Sequence, residues 1–333
     1  MTKIRVVGKF IAIALNRCDR YRCLALAVTV LLLLSCSAMD DFERHRAFVE
    51  SEVIGHPKIR QETIESNGRE LAYVQAGNPD RGIVIWLHGT PGSWSDIGSI
   101  MISAESTADL LWVSVDRMGW GDSSQFSDEF GQRELHSRYF ATLAQQQAYL
   151  RPLVQRLRED HPEVPVYVAG HSWGGSLAPA LALASPEISG LLIVAGGLSP
   201  EAMKVRWYHR LADTWLARRV IGSELQRATE EMLALPAGLS AINEQIARDE
   251  AFRALPIIIL QGGEDSLVPV DNANYWGERF TGSQRFENLT VVIDEDFGHL
   301  WHMQRPAAIA ACVEALVSGQ AMDCAEWVKN NDD

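Results

Sequence analysis

The chain has 333 residues, 47% hydrophobic and 22% charged, and 30 Lys and Arg against 43 Asp and Glu give it a net charge of −13. That length admits one large domain or two ordinary ones, and that composition excludes an intrinsically disordered chain. The acidic balance argues against nucleic acid as a partner, because binding phosphates requires a basic surface.

The N-terminus differs from the rest. Lys3, Arg5, Lys9, Arg17, Arg20 and Arg22 precede an apolar run at 23–34, broken only by Thr29. Twelve residues are short for a membrane-spanning helix and suit the core of a signal peptide. The run closes on Leu33-Leu34-Ser35-Cys36, which resembles a bacterial lipoprotein signal with Cys36 as the lipidated residue. An uncleaved anchor is the alternative, since 10–15 is apolar as well. Either way the expectation for 1–36 is a signal peptide or membrane anchor, with 37–61 as a tether. The protein is then exported and membrane-anchored, as a periplasm-facing lipoprotein or through an anchor in the inner membrane. Once Cys18, Cys23 and Cys36 are set aside, Cys312 and Cys324 remain. In an oxidising compartment they could close a short loop; otherwise they are two unrelated thiols.

Beyond the tether, Asn67-Gly68 between two strand-like stretches is a strong hairpin signal. Apolar runs at 82–87, 110–115, 164–169, 190–195, 256–260 and 289–293 read as strands. Helical stretches are expected at 134–159, with a kink at Pro152, and at 173–184, 272–280 and 306–317. Short continuous apolar strands alternating with helices predict a parallel sheet covered on both faces. Segment 199–253 lacks a strand-like run and reads as a helical cap inserted between two halves of the core, 62–198 and 254–333.

The motif that carries chemistry is Gly170-His171-Ser172-Trp173-Gly174, which fits G-x-S-x-G between a strand and a helix. That context makes Ser172 the candidate nucleophile on a sharp turn, with glycines where side chains would collide. A serine hydroxyl needs a base. His299, in Phe297-Gly298-His299, follows the last strand and reaches the same edge of the sheet; Gly298 is expected to allow the tight loop that aims the ring, and His302 is the close competitor. The base needs a carboxylate to orient it. Asp265 follows the strand at 256–260 and Gly262-Gly263, whereas Asp294 and Asp296 read as solvated loop carboxylates. Two N–H groups should hold an oxyanion: Trp173, next after the nucleophile, and Thr90 in His88-Gly89-Thr90-Pro91-Gly92, since Pro91 has no N–H.

These motifs, with Asp116-Arg117-Met118-Gly119-Trp120-Gly121-Asp122-Ser123, resemble the α/β-hydrolase superfamily, in the branch with an H-G-x-P-G loop and a serine nucleophile. The resemblance runs over about 62–317. It implies an α/β-hydrolase fold: a mostly parallel eight-stranded sheet with helices on both faces, a small helical cap, no cofactor and no metal. It also implies that Asp116 and Arg117 are structural. Prolyl aminopeptidases resemble the chain at the elbow, but they usually carry a second glycine where Thr90 stands. The acidic pair that would hold a substrate amine has one candidate, Glu230-Glu231, which reads as a solvated helix face. Trp94, Trp120, Trp173, Met203, Trp207, Tyr208 and Trp301 are expected to line an apolar substrate pocket. The expected activity is hydrolysis of a small hydrophobic carboxylic ester through an acyl-enzyme. The alternatives are an aminopeptidase or amidase, and a non-catalytic ligand-binding protein. The expected partner is a small-molecule substrate; the sequence sets no oligomeric state.

Overall fold

The computed structural model describes residues 45, 47–124 and 140–331. The expected signal or anchor with Cys36, most of the first half of the tether and the start of the helix at 134–159 lie outside the described residues. The chain divides into two compact units, 1–52 and 53–333. In the first, residues 45 and 47–52 are helical; everything that follows belongs to the second.

Eight strands, β1 (Arg60–Ser66), β2 (Arg69–Gly77), β3 (Gly82–Leu87), β4 (Leu110–Val115), β5 (Val166–His171), β6 (Ile188–Val194), β7 (Ile257–Gly262) and β8 (Leu289–Asp294), form one sheet. Their order is β1-β2-β4-β3-β5-β6-β7-β8. β2 runs antiparallel to β1 and β4, and every other neighbouring pair is parallel. Asn67 and Gly68 turn the β1–β2 hairpin at φ of 53° and 76°, the left-handed pair that a two-residue turn demands. Every residue of β3, β4, β5 and β7 is buried. Successive side chains point to opposite faces, so a wholly buried strand means cover on both. This is the expected α/β-hydrolase fold.

The principal helices are α1 (Leu143–Asp160), α2 (Trp173–Ala184), α3 (Trp207–Ala212), α4 (Ser223–Ile246), α5 (Asp271–Arg279), α6 (Pro306–Val317) and α7 (Ala321–Asn330). α1 starts where Thr142 and Gln145 form a capping box, and it continues through Pro152 to Asp160. β6 begins two residues earlier than expected and ends one residue before Ala195, which has a φ of 48°. α7 was not expected; of its residues only Cys324 and Val328 are buried. The disulfide between Cys312 on α6 and Cys324 on α7 joins it to the core, with a Cα–Cα distance of 4.5 Å. Between β6 and β7 the chain is helical, carrying α3 and α4. Among the described residues no helix is long and apolar enough to cross a membrane.

Candidate active site

Parallel strands bring their C-terminal ends to one edge of the sheet, and the candidate residues gather there. Ser172 follows β5 with φ of 54° and ψ of −117°, a strained conformation for a residue with a side chain. The turn closes only because its glycines are bare. A Cβ on Gly170 would lie 2.4 Å from the Gly174 carbonyl oxygen, and one on Gly174 would lie 2.1 Å from that of Leu87.

The Ser172 hydroxyl donates to His299 Nε2 at 2.9 Å, and His299 Nδ1–H donates to Asp265 Oδ2 at 2.8 Å. The ring is thus held in one tautomer, with its lone pair toward the serine. Asp265 is saturated with donors: the Leu267 and Val268 N–H groups reach Oδ1, and Gln261 Nε2 reaches Oδ2 at 3.0 Å. Burial pushes the Asp265 pKa up, but the hydrogen bond and charge of His299 and these N–H groups outweigh it and hold the carboxyl below its usual value.

His171 stands at a variable position of the motif, which gives it no role in the sequence pattern. It is buried, and its Nε2–H donates to the His299 carbonyl at 2.8 Å, which pins the loop that delivers the base. Burial first, and the charge of His299 second, lower its pKa to about 3, so the ring stays neutral at that bond. His302, the competitor, stacks on His171 with centroids 3.8 Å apart and lies 3.9 Å from Asp96, whereas it is His299 that bonds the serine.

Several expectations need correction. Gly298 has no left-handed φ and has room for a side chain; the close approach is at Gly262, where a Cβ would lie 2.2 Å from the Phe297 carbonyl oxygen. Asp294 is not a solvated carboxylate but pairs with Arg305 at 2.9 Å. Glu230 and Glu231 do not form a solvated face either, since both are buried. Glu230 accepts from Arg218 at 2.8 Å, and Glu231 accepts from the wholly buried Arg117 and from Trp120 Nε1 at 3.0 Å.

Beside Ser172 and His299 opens a cavity of about 490 Å³, to which Thr90 and Trp173 also contribute. Its apolar wall comes largely from 199–253: Met203, Leu225, Met232 and Leu235, with Tyr208 at the side. Met203 and Tyr208 therefore stand where a substrate pocket was expected, and Trp94, Trp120, Trp207 and Trp301 do not. Trp94 is buried elsewhere, its N–H on Asp116 at 2.8 Å. Trp120 is committed to Glu231, Trp301 packs on Phe297, and Trp207 projects into solvent. Large aromatic residues near motifs in sequence served packing more often than lining. Among the described residues no group of three or more His, Cys, Asp or Glu could hold a metal ion.

The profile of the alpha/beta hydrolase family matches residues 84–312, and the protein belongs to that family. It is 26% identical to the monoglyceride lipase of Mus musculus over 225 residues, covering 60% of this chain and 69% of that protein. It is 24% identical to a monoacylglycerol lipase of Mycolicibacterium smegmatis over 216 residues, 57% of this chain and 72% of that one. Among solved structures, an epoxide hydrolase of Vigna radiata superposes with a TM-score of 0.56 at 14% identity, over 79% of this chain and 98% of that one, a likeness of fold alone. The protein is a hydrolase of the esterase class.

Proposed function

We propose that the protein is a serine hydrolase that cleaves a hydrophobic carboxylic ester of the monoacylglycerol type through an acyl-enzyme. One observation carries the proposal: the continuous hydrogen-bonded line Asp265–His299–Ser172, ending at a cavity with an apolar wall. In this reading Ser172 Oγ attacks the ester carbonyl while His299 Nε2 takes its proton, and Asp265 stabilises the resulting imidazolium. The N–H groups of Thr90 and Trp173 hold the oxyanion. His299 then returns the proton to the leaving alcohol, and water activated by the same ring releases the acid. The names of the lipase relatives support a lipid ester. So does the setting of the cavity, since the neighbouring α3 region exposes Trp207, Trp215 and Val220 together with Lys204, Arg206, Arg210 and Arg219 on a chain that is acidic as a whole.

The aminopeptidase reading is weaker, because Glu230 and Glu231, the carboxylates it would need for an amine, are already paired with arginines. Steady-state assays with monoacylglycerols and p-nitrophenyl esters of graded chain length, beside aminoacyl arylamides, test the choice. Ester turnover with a preference for longer acyl chains is expected. Turnover of the arylamides alone would favour the aminopeptidase, and no turnover of either class would favour a binding protein.

We further propose that the protein is exported and tethered to a membrane through 1–36, by lipid on Cys36 or by an uncleaved anchor. The Cys312–Cys324 disulfide supports an oxidising compartment. Precursor processing blocked by globomycin and release of the protein by Cys36→Ser are expected for lipidation, and failure of both favours the anchor.

A further inference from the structure

The proposed oxyanion hole rests on a buried cation that the reaction steps above do not use. Arg117 is wholly buried and binds three groups at once. Its Nε–H donates to the His88 carbonyl at 3.0 Å and Nη2–H to the Gly89 carbonyl at 2.7 Å. Nη1 and Nη2 also reach the two oxygens of Glu231, at 2.6 and 3.2 Å. The Gly89 carbonyl belongs to the same peptide unit as the Thr90 N–H. That unit is not among the cis bonds of the chain, and in a trans, planar peptide the C=O and N–H point in opposite directions. A guanidinium gripping the carbonyl therefore leaves the Thr90 N–H pointing away from it. Thr90 borders the cavity that Ser172 borders, and its N–H has no acceptor among the described residues.

His88 reinforces the grip. Its Nδ1–H donates to the same Gly89 carbonyl at 2.8 Å, while Nε2 accepts the Arg117 backbone N–H at 3.0 Å. This pattern requires a neutral ring, in keeping with a pKa held well below the ordinary value by burial and then by Arg117. The guanidinium also lies over the ring of Trp173, the residue of the second proposed donor, at 4.3 Å from its centroid.

We infer that Arg117 is the positioning residue of the oxyanion hole and that Glu231, supplied by α4 of the inserted helical segment, fixes the plane of its guanidinium. Arg117 orients the Gly89–Thr90 peptide and polarises it, so that a charge-assisted bond at the carbonyl makes the N–H a better donor. Glu231 thereby ties the segment that walls the cavity to the loop that stabilises charge. A lysine could not replace the arginine, because one ammonium cannot bridge two carbonyls and a carboxylate in a plane.

The inference rests on the acyl-enzyme reading, and the test separates the two. In the full chain, Arg117→Lys keeps the charge and is expected to lower kcat for p-nitrophenyl butyrate by about 10- to 100-fold, short of the ~10²–10³ lost with a whole oxyanion donor. KM should stay within about 2-fold, and the Ki of phenylboronic acid, whose tetrahedral anionic adduct needs the hole, should rise in proportion to the loss in kcat. Should that variant fold poorly, Arg117→Met combined with Glu231→Gln removes both buried charges and is expected to fold while showing the same kcat loss. A folded variant with unchanged kcat, or with reduced kcat but unchanged boronate affinity, overturns the inference. Absence of fluorophosphonate labelling of Ser172 in the unmodified chain overturns the acyl-enzyme reading instead.

Discussion

At the C-terminal edge of the sheet, Asp265, His171 and Arg117 are buried with their polar atoms bonded to defined partners. In the inserted segment, the α3 region leaves Trp207, Trp215 and Val220 exposed at 74%, 68% and 80%. The first region spends apolar surroundings on holding charge and polarity in place. The second leaves apolar surface in water beside the cavity mouth, where Tyr208 and Leu225 are both exposed and part of the cavity wall. A buried polar network tolerates little change, because each lost partner strands another group, whereas a solvent-facing residue can be removed at small cost to stability. The two regions should therefore respond to mutation in different ways: rate and pH response at the edge, substrate presentation in the segment.

The largest expected effect sharpens the edge. Asp265→Asn keeps the size of the side chain but can present an amide N–H to His299 Nδ1, which favours the wrong tautomer; kcat should fall by ~10⁴-fold in a folded protein. A loss of less than about 10-fold in steady-state assays would mean that the carboxylate is not required.

A smaller effect concerns pH. The His171 pKa is about 3 in the folded chain against 6.5 for an ordinary imidazole. Between those values the unfolded chain binds a proton that the folded chain refuses, so stability falls as pH drops below about 6.5. One such group contributes a slope of up to ~1.4 kcal/mol per pH unit. His88, also lowered, acts with the same sign. In His171→Gln, urea midpoints measured from pH 7 to pH 4 should fall less steeply than in the unmodified chain, and an identical slope would contradict the burial argument.

The smallest effect on the fold is expected in the segment. Trp207→Ala with Trp215→Ala should change stability by no more than about 0.5 kcal/mol per site and leave hydrolysis of a dissolved short ester unchanged. Turnover of a monoacylglycerol presented in phospholipid vesicles should fall. Equal loss on both substrates would erase the distinction between the two regions.

Much of the edge could be read from local pattern, because a strand, a tight glycine turn and a helix leave their marks within a few neighbouring residues. Ser172, His299 and Asp265 each follow a recognisable apolar strand, and Asn67-Gly68 announces its own turn. What could not be read was pairing between distant segments. Arg117 and Glu231 meet across 114 positions, and nothing near either residue distinguishes a buried, paired glutamate from a solvated one. Gln261 and His171 were missed for a related reason: a polar residue in a buried strand has a meaning only once its partner is known. The aromatic residues misled in the opposite direction. Trp94, Trp120 and Trp301 are buried away from the cavity and Trp207 is exposed, so bulk and nearness to a motif are poor guides to lining.

In the proposed reaction Ser172 is a nucleophile activated by His299 across a 2.9 Å hydrogen bond. Fluorophosphonate treatment followed by peptide mass mapping tests it most directly. One adduct on Ser172, abolished by Ser172→Ala and strongly slowed by His299→Ala, is the expected result; an unlabelled Ser172, or labelling that proceeds equally fast without the imidazole, would contradict it.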